Sequence, residues 1–327
     1  MNISIDTPKN KMEQEILVSG ASIAGLTAAY WLQKAGFIVT VLEREPALRL
    51  GGQNIDVKGP GWEIIKMMGL EEKIRKANTT EVGIQFYNTD HKLLAQFPKS
   101  EAASMTQELE ILRGDLVQIL HDEIKNNVNF IFGDYIKVVN DTDADVEITY
   151  KSGNIKKFAF LIIAEGIGSL TREQVFKNEV TFAYLGIYTC YFTISKSDTD
   201  SLWARWCNAP GGVVILIRPD NHGTTRVCIN FRSSENGYED LSTKKKKELL
   251  ISKIEGIGWE AARLVGEIRK TDDFYLDRLS QVKACNWSRG RIVMTGDAAY
   301  CVTPIGGRGT DLAITGPYII AGELSEK

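Results

Sequence analysis

The stretch Glu15 to Glu43, EILVSGASIAGLTAAYWLQKAGFIVTVLE, constrains the fold more than any other part of the chain. Glu15 to Ser19 is a short apolar run, Ile23 to Ala35 repeats its apolar residues at helical spacing, and Ile38 to Leu42 is apolar and β-branched. Together they predict one βαβ unit. Its first turn, Gly20-Ala21-Ser22-Ile23-Ala24-Gly25, is a G-x-G-x-x-G pattern whose middle glycine has become serine. Gly20 permits the tight turn and Gly25 brings the helix close to the strand. The helix start then presents backbone N–H groups and a positive dipole end to a pyrophosphate. Ser22 places a Cβ at the closest phosphate approach and offers a hydroxyl in return. Glu43, at the end of the second strand, stands where a carboxylate accepts ribose hydroxyls. The motif alone does not separate NAD from FAD, and a tight βα turn without a ligand is the plain alternative.

Bulk properties exclude several classes. The 327 residues are 43% hydrophobic, enough for a substantial core, and the net charge of −3 leaves no basic footprint for nucleic acid. Five scattered cysteines, odd in number and without C-x-x-C spacing, read as reduced thiols of a cytoplasmic protein. His91, His121 and His222 are not at metal-ligand spacing. No apolar run is long enough to span a bilayer, so no stable membrane association is expected. The first dozen residues read as a loose polar tail.

Further along, Arg49 to Val57 carries the paired glycines Gly51-Gly52, which suit a backbone passing close to a flat or phosphorylated ligand or a plain surface turn. Trp62 to Met68 reads as a helix and Val82 to Phe97 as a β-hairpin. Arg113 opens a helix where a cation opposes the dipole, so an anionic partner or plain solvent exposure is expected. Phe158 to Ala164 reads as one buried strand running into Glu165-Gly166-Ile167-Gly168-Ser169-Leu170-Thr171-Arg172. Tyr184 to Ser195, Val213 to Arg218 and Arg226 to Phe231 alternate as strands of a second, antiparallel sheet. Its aromatic residues, Tyr184, Tyr188, Tyr191, Phe192, Trp203 and Trp206, suit a pocket wall or ordinary core. Finally, Arg291 to Thr295 is a strand closed by Gly296-Asp297. After it, Pro304-Ile305-Gly306-Gly307-Arg308-Gly309 precedes a helix whose positive end faces an anion or an electron-rich ring.

GASIAG with Glu43, AEGIGSLTR and GDAAYCVTPIGGRG, in this order, resemble the class A FAD-dependent monooxygenases of the para-hydroxybenzoate hydroxylase-like family, especially its tetracycline-destructase-like branch. The resemblance covers nearly the whole chain. It implies an α/β fold, with a Rossmann-like FAD-binding domain (GR2 type) and an inserted antiparallel β-sheet substrate domain. The FAD-binding part would be discontinuous (1–80, 100–175 and 280–327), and 81–99 with 176–279 would form the substrate domain. By the same resemblance Gly20, Ser22, Gly25, Glu43 and Arg44 serve the ADP half of FAD, and Arg113 reaches its middle. Asp297 holds the ribityl-pyrophosphate region, while Pro304, Gly306, Gly307 and Gly309 back the isoalloxazine ring. Asp56 is the flavin-side aspartate, and Arg49 is associated with NADPH.

The implied activity is an NAD(P)H- and O2-consuming monooxygenation of an aromatic or polyketide-like, tetracycline-like small molecule through a flavin hydroperoxide. FAD and NADPH or NADH are the cofactors, antibiotic resistance is an implied role, and a monomer is expected. No side-chain acid or base is nominated, because the flavin carries the chemistry. A flavin reductase or dehydrogenase, and a non-catalytic flavin-binding protein, are the alternatives. Three departures bear on the expectation. Glu165 stands where the family has aspartate, Pro317 falls inside the last helix and should kink or end it, and the chain stops at Lys327, which suggests a truncated form with a more open pocket.

Overall fold

The computed structural model describes residues 14–101 and 109–326; the polar tail read over the first dozen residues lies outside them. The opening unit is β1 (Glu15–Ser19), α1 (Ile23–Lys34) and β2 (Ile38–Glu43). There follow β3 (Asn54–Asp56), α2 (Gly59–Met67), α3 (Glu71–Lys76), the hairpin β4 (Gly83–Tyr87) and β5 (Leu93–Pro98), β6 (Glu110–Leu112), α4 (Arg113–Ile124) and β7 (Asn129–Phe132). A ribbon of β8 (Ile136–Asp141), β9 (Val146–Tyr150) and β10 (Ile155–Phe158) leads into β11 (Phe160–Ile163) and α5 (Leu170–Val175). Next come β12 (Val180–Ser195), β13 (Trp203–Ala209), β14 (Val213–Pro219), β15 (Thr224–Arg232), α6 (Thr243–Ile254), α7 (Ala261–Lys270) and β16 (Phe274–Ala284). The described chain closes with β17 (Ser288–Arg289), β18 (Ile292–Met294), α8 (Asp297–Tyr300) and α9 (Gly309–Glu326).

Two sheets organise these elements. The first runs β17-β18-β11-β1-β2-β7, with β1 parallel to both β2 and β11, and β11 parallel to β18. Parallel strands covered on both faces read as continuous apolar runs, and Ile16, Leu17 and Val18 are all fully buried. Alternation then sorts them between two layers. Ile16 and Val18 pack with Leu26, Leu116 and Leu120 of α1 and α4, whereas Leu17 packs with Val146, Ile148 and Phe158 of the ribbon.

The second sheet runs β16-β12-β15-β14-β13-β4-β5. Its residues Cys190, Phe192, Ile215 and Ile229 bury against Leu250, Leu264 and Ile268 of α6 and α7. The loop between β12 and β13 is fastened by Asp200, which accepts hydrogen bonds from Arg205 and Arg263. Burial alone would raise its carboxyl, but the Arg263 bonds and the Ser197 N–H outweigh that and hold it at about 2. A depressed carboxyl contributes stability that is present above the unfolded pKa, near 4, and is lost as pH falls towards 2. We expect about 1 kcal/mol of that contribution to be lost by pH 3. Urea midpoints at pH 5 and pH 3 check this, because Asp200→Asn should flatten the difference.

Two expectations about elements are corrected. The apolar run Phe158 to Ala164 is not one strand: Phe158 ends the antiparallel ribbon, Ala159 donates to Glu15 O, and only Phe160–Ile163 joins the parallel sheet. Pro317 does not end the last helix, which continues to Glu326. Pro317 is buried, Ile314 and Ala321 join the α1 core, and Tyr318 packs edge-on against Trp31 with ring centroids 4.9 Å apart. That packing offsets the hydrogen bond that proline forgoes.

Candidate functional site

Three loops leave the carboxyl ends of the neighbouring parallel strands β1, β11 and β18, the edge where open α/β sheets bind ligands. In the first, Gly20 adopts φ +111° and its N–H donates to Leu42 O at 2.7 Å. A Cβ on Gly25 would stand 1.8 Å from Gly20 O, so only glycine lets α1 start this close to β1. Ser22 is the helix N-cap, yet its side chain makes no capping bond and no acid lies in the first turn of α1. The Ser22 hydroxyl instead accepts from Arg113 Nη1 at 3.0 Å. The helix start is left open to an anion.

Glu43 is nearly buried, and its carboxylate accepts the Ala21 N–H at 2.9 Å and the Glu45 N–H at 3.1 Å. It therefore closes the turn. Arg44 is exposed beside Glu45.

Arg113, expected to meet an anion or to stand in solvent, is half-buried and bonded to the protein around it. Its guanidinium donates to Arg49 O, Gly51 O and Ser22 Oγ, binding the 49–53 strap to the phosphate turn. Burial, and then Arg49, lower its pKa to about 10, so it stays charged at neutral pH. The strap continues across to the second sheet, where Gly52 O accepts from Arg226 and Gln53 Nε2 donates to Val227 O.

In the second loop Glu165 is fully engaged. It accepts from Ser19 Oγ, Ser169 Oγ, Thr171 Oγ1 and the Thr171 N–H. The longer side chain thus caps α5 and ties it to the end of β1. Arg172, buried, donates to Ile167 O at 2.7 Å and to Ala298 O at 3.2 Å, so this loop fixes the third.

The third loop begins at Asp297, whose side chain is exposed although the surrounding protein raises its pKa by desolvation. Burial and Asp297 push the Cys301 thiol up to about 12, so it remains neutral. Thr303 adopts φ +68°, strained for a β-branched residue, and its buried hydroxyl has no partner. Pro304, Gly306 and Gly307 follow in an exposed turn, and a Cβ at Gly309 would meet nothing within 4 Å, so the start of α9 faces open space. Asp311 accepts the Gly61 N–H at 2.7 Å and pairs with Arg308, fastening α9 to α2. At the head of α2, Lys58 Nζ is 3.3 Å from Asp56, whose carboxyl is raised by burial and by Glu110.

One face of the second sheet touches the strap through Arg226. Its register aligns Tyr275, Tyr191, Cys228, Leu216, Trp206 and Phe86 in one row across six strands. Tyr191 stacks on Tyr275 at 6.0 Å and 13°, and Phe86 contacts Trp206 at 6.0 Å. Of the aromatic residues expected as a pocket wall, Tyr191 and Trp206 belong to this row. Tyr188 and Phe192 point the other way, into the core under α6 and α7.

Sequence reasoning missed Lys58, Arg172 and Asp311. Arg172 and Asp311 lie within or just beyond the quoted motifs, but their partners are 126 and 250 residues away. The pattern also fits an extended dinucleotide: an uncapped helix start, a bare α9 start, and the unpartnered buried atoms Thr303 Oγ1 and Gln53 Oε1. Among the described residues no His/Cys/Asp/Glu group could hold a metal, and no helix is long and apolar enough to cross a membrane.

The FAD binding domain family matches residues 13–326. The flavin-dependent monooxygenase eupH of a Phoma species is 35% identical over 96% of this chain and 77% of its own length. A flavin-dependent monooxygenase of Legionella longbeachae is 34% identical over 95% of this chain and 80% of its own. Among solved structures, tetracycline destructase Tet(55) superposes with a TM-score of 0.87 at 31% identity, covering 97% of this chain and 82% of that one.

Proposed function

Because the chain belongs to the FAD-binding domain family of flavin-dependent monooxygenases, we propose that it uses NADPH and O2 to oxygenate a flat aromatic or polyketide-like small molecule. The observation that carries the reading is the 49–53 strap, which Arg113 ties to Ser22 of the first glycine turn and which also bonds to Arg226 and Val227 of the sheet that carries the aromatic row. The tetracycline destructase likeness supports a tetracycline-like substrate class.

In this reading the α1 start, with Gly20, Ser22 and Gly25, holds the pyrophosphate, Glu43 and Arg44 serve the adenosine end, and Arg113 supports the middle. Asp297 takes the ribityl chain and Pro304 to Gly309 back the ring, with Asp56 at its edge. Bound there, the flavin supplies hydride acceptance and dioxygen activation. The chain's own residues orient and exclude water: Tyr191, Trp206 and Phe86 offer stacking faces, and exposed Arg49 supplies a cation for a transient nicotinamide cofactor. One oxygen atom enters the substrate and the other leaves as water, with NADPH supplying the two electrons.

Incubation with NADPH, air and a panel of tetracyclines and phenols tests the reading, with a product heavier by one oxygen atom as the expected result. NADPH oxidation that yields only hydrogen peroxide across the panel counts against it. Arg113→Ala is expected to weaken FAD binding about 10- to 100-fold, since it removes charge-assisted bonds that hold the strap and Ser22. Fluorescence titration of apoprotein with FAD measures this; an unchanged affinity would remove Arg113 from the site.

A further inference from the structure

Lys58 is assigned by neither the motifs nor the family reading. It begins the turn into α2, and its side chain is about one-third exposed. Its ammonium lies 3.3 Å from Asp56 Oδ2 and 3.7 Å from where a Cβ of Gly307 would stand. The placement is enforced. Asp311, at the start of α9, accepts the Gly61 N–H and also lies against Gly59, so the beginnings of α2 and α9 are locked together with Lys58 between them. Gly307 itself sits at φ +59° and carries no side chain to screen the ammonium from the cleft.

Asp56 is the direct partner of Lys58, and burial and Glu110 both disfavour the charged form of that carboxyl. Asp311 is already satisfied by Gly61 and Arg308. Arg308 is directed to Asp311, and Arg218 to Glu81 and Glu110. The positive charge of Lys58 is thus only partly compensated, at the edge of the glycine turn that backs the flavin ring.

We propose that Lys58 sets the charge balance of the flavin ring, its ammonium favouring the negatively charged reduced form from beside Gly307 while Asp56 holds it in place. The proposal rests on the reading of the Pro304 to Gly309 turn as the ring's support. The helix dipole of α9 acts in the same direction, but a full charge beside the turn outweighs a partial one. Lys58 touches no reacting atom and acts as a tuning residue.

The experiment measures the midpoint potential of bound FAD by dye equilibration, together with FAD affinity, in wild type and the Lys58→Met, Lys58→Arg and Asp56→Asn variants. Lys58→Met should weaken the preference for reduced flavin about tenfold, which for a two-electron couple is a fall of about 30 mV. Lys58→Arg should keep the wild-type potential. Asp56→Asn should raise it, because it removes the opposing negative charge. Opposite signs for the two neutralising variants identify an electrostatic role; a common fall in both identifies a structural disturbance and overturns the proposal. An unchanged potential in Lys58→Met with FAD bound also overturns it. Gly309→Val separates this outcome from failure of the underlying reading, since it fills the open space before α9. If it lowers FAD affinity while Lys58→Met changes nothing, the ring support stands and Lys58 has no part in it.

Discussion

Replacing Gly25 by valine is expected to lower FAD affinity at least 100-fold and to destabilise the protein by about 1–3 kcal/mol. Even the first carbon of the new side chain would stand 1.8 Å from Gly20 O, far inside contact distance, and the obstruction is backbone. The start of α1 must move away from β1. Its outer face is held by α4 and α9 through Leu26, Ala28, Leu116, Ile314 and Ala321, so the shift cannot be absorbed without loss of packing. The N–H groups proposed to hold the pyrophosphate move with the helix, and a displacement near 1 Å is enough to lose about two orders of magnitude in a pre-organised site. Gly266→Ala is the control. That position lies inside α7 with nothing within 4 Å of its Cβ, so it should stabilise the protein by up to about 1 kcal/mol and leave FAD binding unchanged. Fluorescence titration and urea unfolding of both variants decide the matter. If the valine variant binds FAD normally, the phosphate turn is misassigned.

Glu110→Ala is expected to cost about 3–5 kcal/mol of folding stability. Glu110 is 1% exposed and accepts from Asn54 Nδ2 at 2.9 Å and from Thr79 Oγ1, and it pairs with Arg218. Arg218 also pairs with the buried Glu81 at 2.8 Å, and Asn54 donates a second bond to Pro219 O. The network joins β3 and β6 of the nucleotide side to β14 of the aromatic sheet, with its charges withdrawn from water. Removing Glu110 leaves a buried guanidinium short of a partner, the Thr79 hydroxyl without its acceptor and the Asn54 amide with one bond fewer. Urea unfolding monitored by tryptophan fluorescence gives the difference. A loss below about 1 kcal/mol would mean that water enters this junction and that the two sheets are joined by apolar packing instead.

What could be read from the sequence divides along the range of the interactions. The turn at Gly20, the strap at Gly51 and the turn at Gly306 are local: a glycine's freedom and a helix start are encoded within six residues, so their chemistry shows in the order of letters. The choice of face is not local. Tyr188 and Tyr191 both sit in an alternating strand, and alternation puts them on opposite faces without saying which face α6 and α7 will cover. Arg113 stands out in the sequence because its charge opposes the helix dipole, but the three oxygens it bonds come from segments distant in sequence and could not be read there. Glu165 looked like a departure until four donors from two segments were found around its longer side chain. Pro317 breaks an isolated helix, but here neighbouring helices hold the segment in place. Lys58 carried no signal at all, since its importance depends on an α9 turn that begins about 250 residues later.

We propose that this chain binds FAD and passes electrons from a nicotinamide cofactor to dioxygen beside the aromatic row. The most direct measurement mixes FAD-loaded protein with NADPH in the absence of oxygen while the visible flavin absorbance is followed, and then adds oxygenated buffer with and without a tetracycline. The account predicts bleaching by NADPH, return of the absorbance with oxygen, and an oxygenated product only when the tetracycline is present. Bound flavin that neither NADPH nor NADH bleaches would contradict it and mark the chain as a flavin-binding protein without this chemistry.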